Sequence, residues 1–423
     1  MLHFDFTVED MSTVTHASPR RGTRGTGTDS TRTPRERIVS GTLALVFLAE
    51  FCALTSFYLL LSVTPMDAAA AGAGSAGAGL VTGVLLGGTV AAELAAPILM
   101  RRFGYRALLA AGALLLGAPA LALLTGGSLA AIVTVSVVRG FGFGLSTVMS
   151  GALTAMLVPP GRRGEGLGLF GIVATAPGIV ALPAGVWLAG HFGMAVVIGL
   201  TAATALVPLA TVPWLPGRTG GGQVGPGPAA APRPAPGQDG LLAGLRRPGQ
   251  LRPFFIFAAS TVAAGVVVSF LPLATGVSGN LAAAGLLVQA LTATIGRWWA
   301  GRQGDRSGHA RLLVPALVIA SAGMIAMIWL ASPAAVIAGM FLFGTGFGIC
   351  QNATFAMMID RMPPAGAGTA SALWNLAYDA GYGAGPAVFG LLVIHTGYPV
   401  AFALTAALML AALPAARRER SAA

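Results

Sequence analysis

Five ionisable side chains lie inside long apolar segments of this sequence, and they are the first candidates for chemistry. They are Glu50, Glu93, Arg139, Arg297 and Asp379. Placing a charge at the centre of a membrane helix costs about 2.5–3.5 kcal/mol on insertion scales, so such a residue is expected to face a partner or a water-filled cavity. Each of the five is therefore a candidate for proton transfer, substrate contact or helix pairing.

Arg139 belongs to a polar stripe on one apolar segment. It shares a helical face with Ser146 and Ser150, because steps of seven and eleven residues return to nearly the same direction on a helix. Glu50 lies near the middle of the first apolar segment, and opposite charges at similar depth stabilise each other. We predict that Glu50 and Arg139 form a proton-coupling pair beside a substrate cavity that Ser146 and Ser150 line. A fixed ion pair that only orients two helices is the alternative.

A second polar strip surrounds Asp379. Asn375, Tyr378, Asp379 and Tyr382 fall within one helical face, with Trp374 beside it. The strip predicts substrate binding, with Asp379 as a further proton-coupling carboxylate. Polar packing between the eleventh and second apolar segments is an equally open alternative, because Asn and Tyr also join membrane helices to one another.

Other polar residues in the apolar segments receive weaker predictions. Thr345 and Asn352 share a face of the tenth segment and are predicted to bind substrate in the cavity, although packing explains them as well. Glu93 and Arg297 each lie one to two turns from a loop, so we expect a gating or structural role rather than substrate contact.

The apolar segments themselves are ordered by the arginine pattern. All positive charge in loops and tails is arginine, and it falls on alternate connections between the apolar segments. Short connections that carry Lys and Arg stay on the cytoplasmic side of a membrane. The alternation predicts about twelve spans in the cell membrane, with both termini in the cytoplasm.

Composition supports a membrane protein and argues against other classes. The chain has 423 residues, of which 55% are hydrophobic and 9% charged, whereas soluble domains average about 25% charged residues. The net charge of +11 is spread along one membrane face, which predicts contact with lipid rather than nucleic acid. Cys52 and Cys350 both fall inside apolar segments, so we expect no disulfide, and we expect neither a metal nor a cofactor.

Composition also divides the chain. We predict a disordered cytoplasmic tail at 1–37, a six-helix bundle at 38–215, a Gly- and Pro-rich cytoplasmic linker at 216–252, a second six-helix bundle at 253–416 and a cytoplasmic tail at 417–423.

The two predicted bundles are related by an internal repeat. An offset of 204 residues aligns Arg102-Phe-Gly104 with Arg306-Ser-Gly308, and it also aligns the glycine-rich stretches that begin at Gly140 and Gly344. Matches at one common offset indicate two related halves, which are expected to pack around a cavity at the membrane midplane.

On these features the sequence resembles the major facilitator superfamily, over roughly Ile38–Ala416. The family's loop motif Gly-x-x-x-Asp-Arg-x-Gly is present in the second half as Gly301-Arg-Gln-Gly-Asp305-Arg306-Ser-Gly308. The first half keeps Arg102 and Gly104 of that motif but has Pro97 and Arg101 at the first Gly and the Asp positions. The resemblance implies that the loop residues lock the outward-facing state.

The stretch Arg139–Gly144 resembles the family's fourth-helix motif of proton-coupled transporters, whereas the antiporter motif of the fifth helix is present only loosely, at Ala176-Pro177-Gly178. The resemblance implies an all-α secondary transporter with alternating access, and proton-driven efflux of small amphipathic or drug-like compounds. Proton-coupled uptake of a sugar, an organic anion or another metabolite is the alternative. A receptor or scaffold that does not transport is the alternative from another class. We expect no enzyme activity, and a monomer.

Overall fold

The structure is a computed structural model that describes residues 40–126, 128–158, 162–215, 244–247, 249–274, 277–363 and 366–422. The regular structure of these residues is entirely helical. A helix satisfies every backbone polar group within its own segment, which a chain in hydrocarbon requires. The predicted tail at 1–37 and most of the predicted linker at 216–252 lie outside the described residues.

The N-terminal half contains seven described helices. They are α1 Gly41–Leu61, α2 Val63–Ala68, α3 Gly74–Phe103, α4 Tyr105–Gly117, α5 Leu129–Leu157, α6 Arg163–Phe192 and α7 Met194–Leu206. A π-helical segment, Ala69–Ala73, joins α2 to α3. Ser40 and Ser128 cap α1 and α5, because each hydroxyl accepts a hydrogen bond from a backbone N–H of the first turn.

The C-terminal half contains six described helices. They are α8 Leu251–Phe270, α9 Gly279–Ser307, α10 Ala310–Ala326, α11 Pro333–Asp360, α12 Ala367–Leu410 and α13 Leu413–Ala422. The long helix α12 is kinked at Gly397, where φ is 74°. It therefore comprises two spans rather than one.

Ten continuous helical stretches among the described residues are long and apolar enough to cross a membrane. The first, Gly41–Phe103, is broken between α1 and α3, and the last, Gly368–Ser421, is broken at Gly397. Each of these two stretches therefore supplies two spans, which confirms the prediction of an all-α protein with about twelve spans.

The internal repeat is visible in the helix bounds. Helices α3 and α9 end at Phe103 and Ser307, which are 204 residues apart, and each is followed by a glycine with positive φ, Gly104 and Gly308. The kink at Gly397 likewise has a counterpart at the end of α6, since Gly193 has a φ of 85°. Only glycine adopts this backbone conformation without strain, so these glycines fix where equivalent helices end.

The two halves meet along two seams: α3 packs against α12, and α9 packs against α6. In the first seam the hydroxyl of Ser75 donates to the carbonyl of Gly390 at 2.9 Å. Close by, the hydroxyls of Thr82 and Ser269 lie 2.9 Å apart. These contacts lie near the end of the molecule where the connections between helices carry no arginine. We call it the arginine-poor end, and the opposite end the arginine-rich end. The halves are thus held together at that end, and the cavity described below lies on the arginine-rich side of the contacts.

The C-terminal residues, interpreted from the sequence as a tail, continue α13 as far as Ala422. Glu419 is only 1% exposed and forms ion pairs with Arg361 at 2.5 Å and with Arg252 at 3.6 Å. The turn of α13 around Glu419 is therefore packed against the C-terminal half at its arginine-rich end.

Candidate cavity between the halves

A cavity of about 340 Å³ lies between the two halves. Its wall is formed by α1, α3, α5 and α6 from the N-terminal half and by α8, α9, α11 and α12 from the C-terminal half. A volume of this order accommodates a small organic molecule. Because both halves contribute to the wall, a bound molecule would touch both halves of the structure.

Two carboxyl groups from different halves face each other in this wall. Asp379 of α12, which is 8% exposed, and Glu93 of α3 lie within hydrogen-bonding contact of each other. Two unit charges 4 Å apart repel by about 4 kcal/mol at an effective dielectric constant near 20. The pair is therefore suited to hold a proton between the two groups or to bind a cation.

Aromatic side chains extend along α12 beside the carboxyl pair. The rings of Tyr378 and Tyr382 stack at a centroid distance of 5.4 Å, and Trp374 lies 5.9 Å from Tyr378. The indole N–H of Trp374 donates to the hydroxyl of Thr354 at 3.3 Å, and Tyr58 of α1 completes the aromatic surface of the cavity. Aromatic faces attract organic cations as well as apolar ring systems.

Arg297 of α9 contributes the positive charge of the cavity. Its Nη2 donates to Oε1 of Gln351 at 2.7 Å, while its Nε is buried without a hydrogen-bond partner. Among the described residues no carboxylate oxygen lies within 4.0 Å of its nitrogens. Its charge is thus solvated by a neutral amide and the cavity rather than neutralised by the protein.

The structure places the predicted strip of α12 in the cavity wall. Asn375, Tyr378, Asp379 and Tyr382 all line it. Glu93 and Arg297 line it too, although the sequence interpretation placed them away from substrate contact. The cavity extends along α3 and α9 as far as these residues, and their gating or structural role stays a prediction.

The predicted pair of Glu50 and Arg139 lies elsewhere. Arg139 is 2% exposed, and it donates from Nε to the carbonyl of Leu116 and from Nη2 to the carbonyl of Ser56, each at 3.1 Å. Glu50 is 3% exposed and lies against Ser150. The described residues include no ion pair between Glu50 and Arg139, since backbone carbonyls of α1 and α4 take up the hydrogen bonds of the guanidinium.

The polar stripe of α5 is turned away from the cavity as well. Ser146 donates to the carbonyl of Gly142 at 3.0 Å, and Ser150 is fully buried. The residues of α5 that line the cavity are Phe143 and Thr147. One residue step on a helix turns the side chain by about 100°, so Ser146 and its neighbour Thr147 face different surroundings.

On α11, too, the predicted residues do not line the cavity. Thr345 donates to the carbonyl of Phe341 at 2.8 Å, and Asn352 lies beside Gly301, so neither lines the cavity. Phe347 and Gln351 line it instead. These two residues are 204 positions after Phe143 and Thr147. The repeat offset therefore relates the two pairs, so that either pair, once known to line the cavity, identifies the other.

The predicted loop motifs lie at the arginine-rich end. Gly104 and Gly308 end α3 and α9 with φ values of 80° and 87°. The carboxylate of Asp305 lies 3.9 Å from the imidazole of His309, and the guanidinium of Arg102 lies 5.3 Å from the ring centre of Phe103. A gating role for these loops, including Arg306 and Gly301, stays a prediction.

Comparison with known proteins agrees with this architecture. The sequence profile of the Major Facilitator Superfamily matches residues 46–386, and the chain belongs to this family of transporters. A search of curated proteins finds no match.

Solved structures share the fold at low sequence identity. A bacterial homologue of the human lysosomal transporter Spinster, in an inward-facing and occupied conformation, has a TM-score of 0.73 at 14% identity, covering 90% of this chain and 96% of its own. The nucleoside transporter NupG has a TM-score of 0.69 at 13% identity, with 89% and 98% covered. The xylose transporter XylE from E. coli, inward open, has a TM-score of 0.67 at 15% identity, with 88% and 94% covered.

Proposed function

We propose that this protein is a proton-coupled secondary transporter that exports small amphipathic or cationic compounds across the cell membrane, with both termini in the cytoplasm. The observation that carries the proposal is the contact between Glu93 and Asp379 across the two halves of the cavity. A carboxyl pair in that position binds either a proton or the positive group of a substrate, and the two compete for it.

The position of the Glu93–Asp379 pair links proton binding to movement of the two halves. Glu93 belongs to α3 and Asp379 to α12, and these helices form the seam that closes the arginine-poor end. Loss of the shared proton adds repulsion between the halves at this seam, and a new proton removes it. Occupancy of the pair therefore biases the equilibrium between states that open at opposite ends.

The aromatic surface supports the choice of substrate. Tyr58, Trp374, Tyr378 and Tyr382 present ring faces to the cavity beside the carboxyl pair. An amphipathic cation would place its apolar body against these rings and its charge at the carboxylates. Glu50 and Arg139 remain candidates for a second proton-binding site in another conformation.

The test uses purified protein in proteoliposomes with an imposed pH gradient and a fluorescent amphipathic cation as the probe. Glu93→Gln and Asp379→Asn should each abolish proton movement driven by the cation. Asp360→Asn, which alters an exposed carboxylate at the end of α11, is the matched control and should leave proton movement unchanged. Unaltered coupling in both cavity variants would contradict the proposal.

Proton-coupled uptake of a sugar or another polar metabolite is the second candidate. The amides of Gln289, Gln351 and Asn375 line the cavity and suit hydroxyl-rich ligands, and the structural relatives NupG and XylE transport a nucleoside and xylose. Uptake predicts that deletion slows growth on one nutrient, whereas export predicts greater sensitivity to toxic compounds. A receptor that does not transport would tolerate Glu50→Gln combined with Arg139→Gln and would move no protons.

A further inference from the structure

We propose that Arg297 is a binding site for an acidic group of the substrate, so that the transported compounds carry a carboxylate as well as a basic or aromatic part. The inference rests on the proposed function and specifies its substrate class. Arg297 then contacts the substrate directly. It forms the basic pole of the cavity, and Glu93 and Asp379 form the acidic pole.

The first argument is the unmet hydrogen-bonding capacity of Arg297. A guanidinium presents five N–H donors in a planar fork that matches a carboxylate. Among the described residues only one of its nitrogens has an acceptor, the neutral oxygen of Gln351, and the buried Nε has none. Arg297 is therefore a half-buried cation of the cavity wall whose N–H groups can donate to an oxyanion.

The second argument is the separation of this cation from the two carboxyl groups. Arg297 lies on α9, which packs against α6, whereas Glu93 and Asp379 lie at the seam between α3 and α12. The hydroxyls of Tyr58 and Tyr378 are close enough to feel the charges of both Arg297 and Asp379. Both tyrosines line the cavity together with Arg297 and Asp379, so an aromatic body resting on them lies within electrostatic range of both charges.

The third argument is the room beside Arg297. Helix α6, which packs against α9, contributes Ala174, Thr175 and Gly178 to the cavity wall. At the equivalent places of the repeat α12 has Tyr378, Asp379 and Tyr382. The cavity-lining residues of α6 therefore provide no counter-charge for Arg297, and at these three positions they are small enough to leave room for an acidic group.

The test measures binding to the purified full-length protein by thermal stabilisation at increasing concentrations of four aromatic compounds. All four share one ring system, and they carry an ammonium group, a carboxylate, both groups or neither. The compound with both groups should bind about tenfold or more tightly than the compound with ammonium alone, because a charge-assisted hydrogen bond contributes on this scale.

Variants of Arg297 and Asp379 test which of the two side chains is responsible for each gain in affinity. Arg297→Gln should remove the gain from the carboxylate while preserving the gain from the ammonium group, and Asp379→Asn should do the reverse. Arg297→Lys, which keeps the charge without the planar fork, should retain part of the carboxylate gain. Arg302→Gln is the matched control, because Arg302 lies on the same helix outside the cavity with its guanidinium over Trp298.

The outcomes separate the inference from the proposed function. If the wild-type protein binds the ammonium compound and gains nothing from the added carboxylate, the inference is overturned and export of cations stands. Equal weakening of all compounds by Arg297→Gln also overturns it, since that pattern indicates a structural role. Binding of none of the four compounds by the wild-type protein would count against the inference and the proposed substrate class together.

Discussion

The cavity walls formed by α6 and α12 occupy equivalent places in the repeat, yet they differ completely in chemistry. Ala174, Thr175 and Gly178 of α6 correspond, at an offset of 204 residues, to Tyr378, Asp379 and Tyr382 of α12. All six line the cavity. The comparison teaches that the repeat keeps the path and facing of the two helices, while α12 has aromatic rings and a carboxylate where α6 has small side chains.

Two other equivalent positions carry the contrast further. Glu93 and Arg297 are also 204 residues apart and face the same cavity with opposite charges. At the arginine-rich end the ion pair of Arg361 and Glu419 corresponds to Leu157 and Leu215, which belong to one apolar cluster in the N-terminal half. Equivalent places in the two halves thus tolerate either apolar packing or buried charge.

The largest expected effect compares Asp379 with its repeat counterpart. Asp379→Asn should reduce substrate-driven proton flux in proteoliposomes by about a hundredfold or more, because the variant removes a proton-binding group from the cavity. Thr175→Ala should change the flux less than about twofold, because a hydroxyl contributes far less to charge binding than a carboxylate does. Equal damage by both variants would show that the two walls are not chemically distinct.

The second effect concerns the seam that closes the arginine-poor end. A Cβ added at Gly79 of α3 would clash with the carbonyl oxygen of Pro386, whereas one added at Gly87 of the same helix meets no atom of the described residues within 4 Å. Overpacking costs about 1–3 kcal/mol, so Gly79→Ala should enlarge the population open at this end by about tenfold.

The measurement is modification of Thr82→Cys by an impermeant thiol reagent added from the arginine-poor side. Thr82 is buried beside Ser269 in the structure. The native Cys52 and Cys350 are buried and serve as the background. Gly87→Ala should leave the labelling rate unchanged, and a comparable increase in both variants would mean that the seam is not the closing contact.

The third prediction tests whether two leucines can replace the ion pair of Arg361 and Glu419, as at the equivalent positions of the N-terminal half. Glu419→Leu leaves Arg361 without its carboxylate and should lower the free energy of unfolding by about 1–3 kcal/mol, less than for a fully buried pair because the Arg361 side chain is 28% exposed. The double variant Arg361→Leu and Glu419→Leu should recover at least half of that loss, as Leu157 and Leu215 pack in the other half. Thermal unfolding in detergent measures both, and a further loss in the double variant would refute the equivalence.

The smallest effect separates two neighbours on α5. Thr147→Ala should change the substrate concentration at half-maximal transport by about two- to fivefold, because the hydroxyl oxygen lines the cavity and can accept one hydrogen bond although it donates to its own helix, and such a bond contributes about 0.5–1.5 kcal/mol or less. Ser146→Ala should leave transport unchanged, since its hydroxyl is bonded to Gly142 outside the cavity. A larger effect of Ser146→Ala would restore the predicted cavity role of the serine stripe.

Sequence patterns located residues of the cavity wall where those residues lie within one helix. The strip around Asp379 was recognisable because its polar and aromatic side chains follow each other at helical spacing, and the structure places that strip in the cavity. The pairing of Glu50 with Arg139 depended on how α1 and α5 are turned against each other. Helical spacing alone does not report that rotation, and the guanidinium binds the carbonyls of Ser56 and Leu116 instead.

The place of Glu93 and Arg297 in the cavity wall was not recognisable from the sequence for a related reason. Counting turns from the nearest loop placed them close to the interface, where long side chains reach water. The structure shows a cavity that extends to both residues, with Asp379 in contact with Glu93. A partner on another helix, 286 residues away in the chain, cannot be read from the spacing around either residue.

The sequence by itself determined the helical membrane architecture and the relation between its halves. Hydrophobic length, arginine placement and positive-φ glycines act segment by segment, so they need no knowledge of neighbouring helices. Only the tertiary structure decided which side chains share the cavity and which are buried between helices of one half. That choice depends on the rotation and packing of each helix against its neighbours, a property of the assembled bundle rather than of any segment.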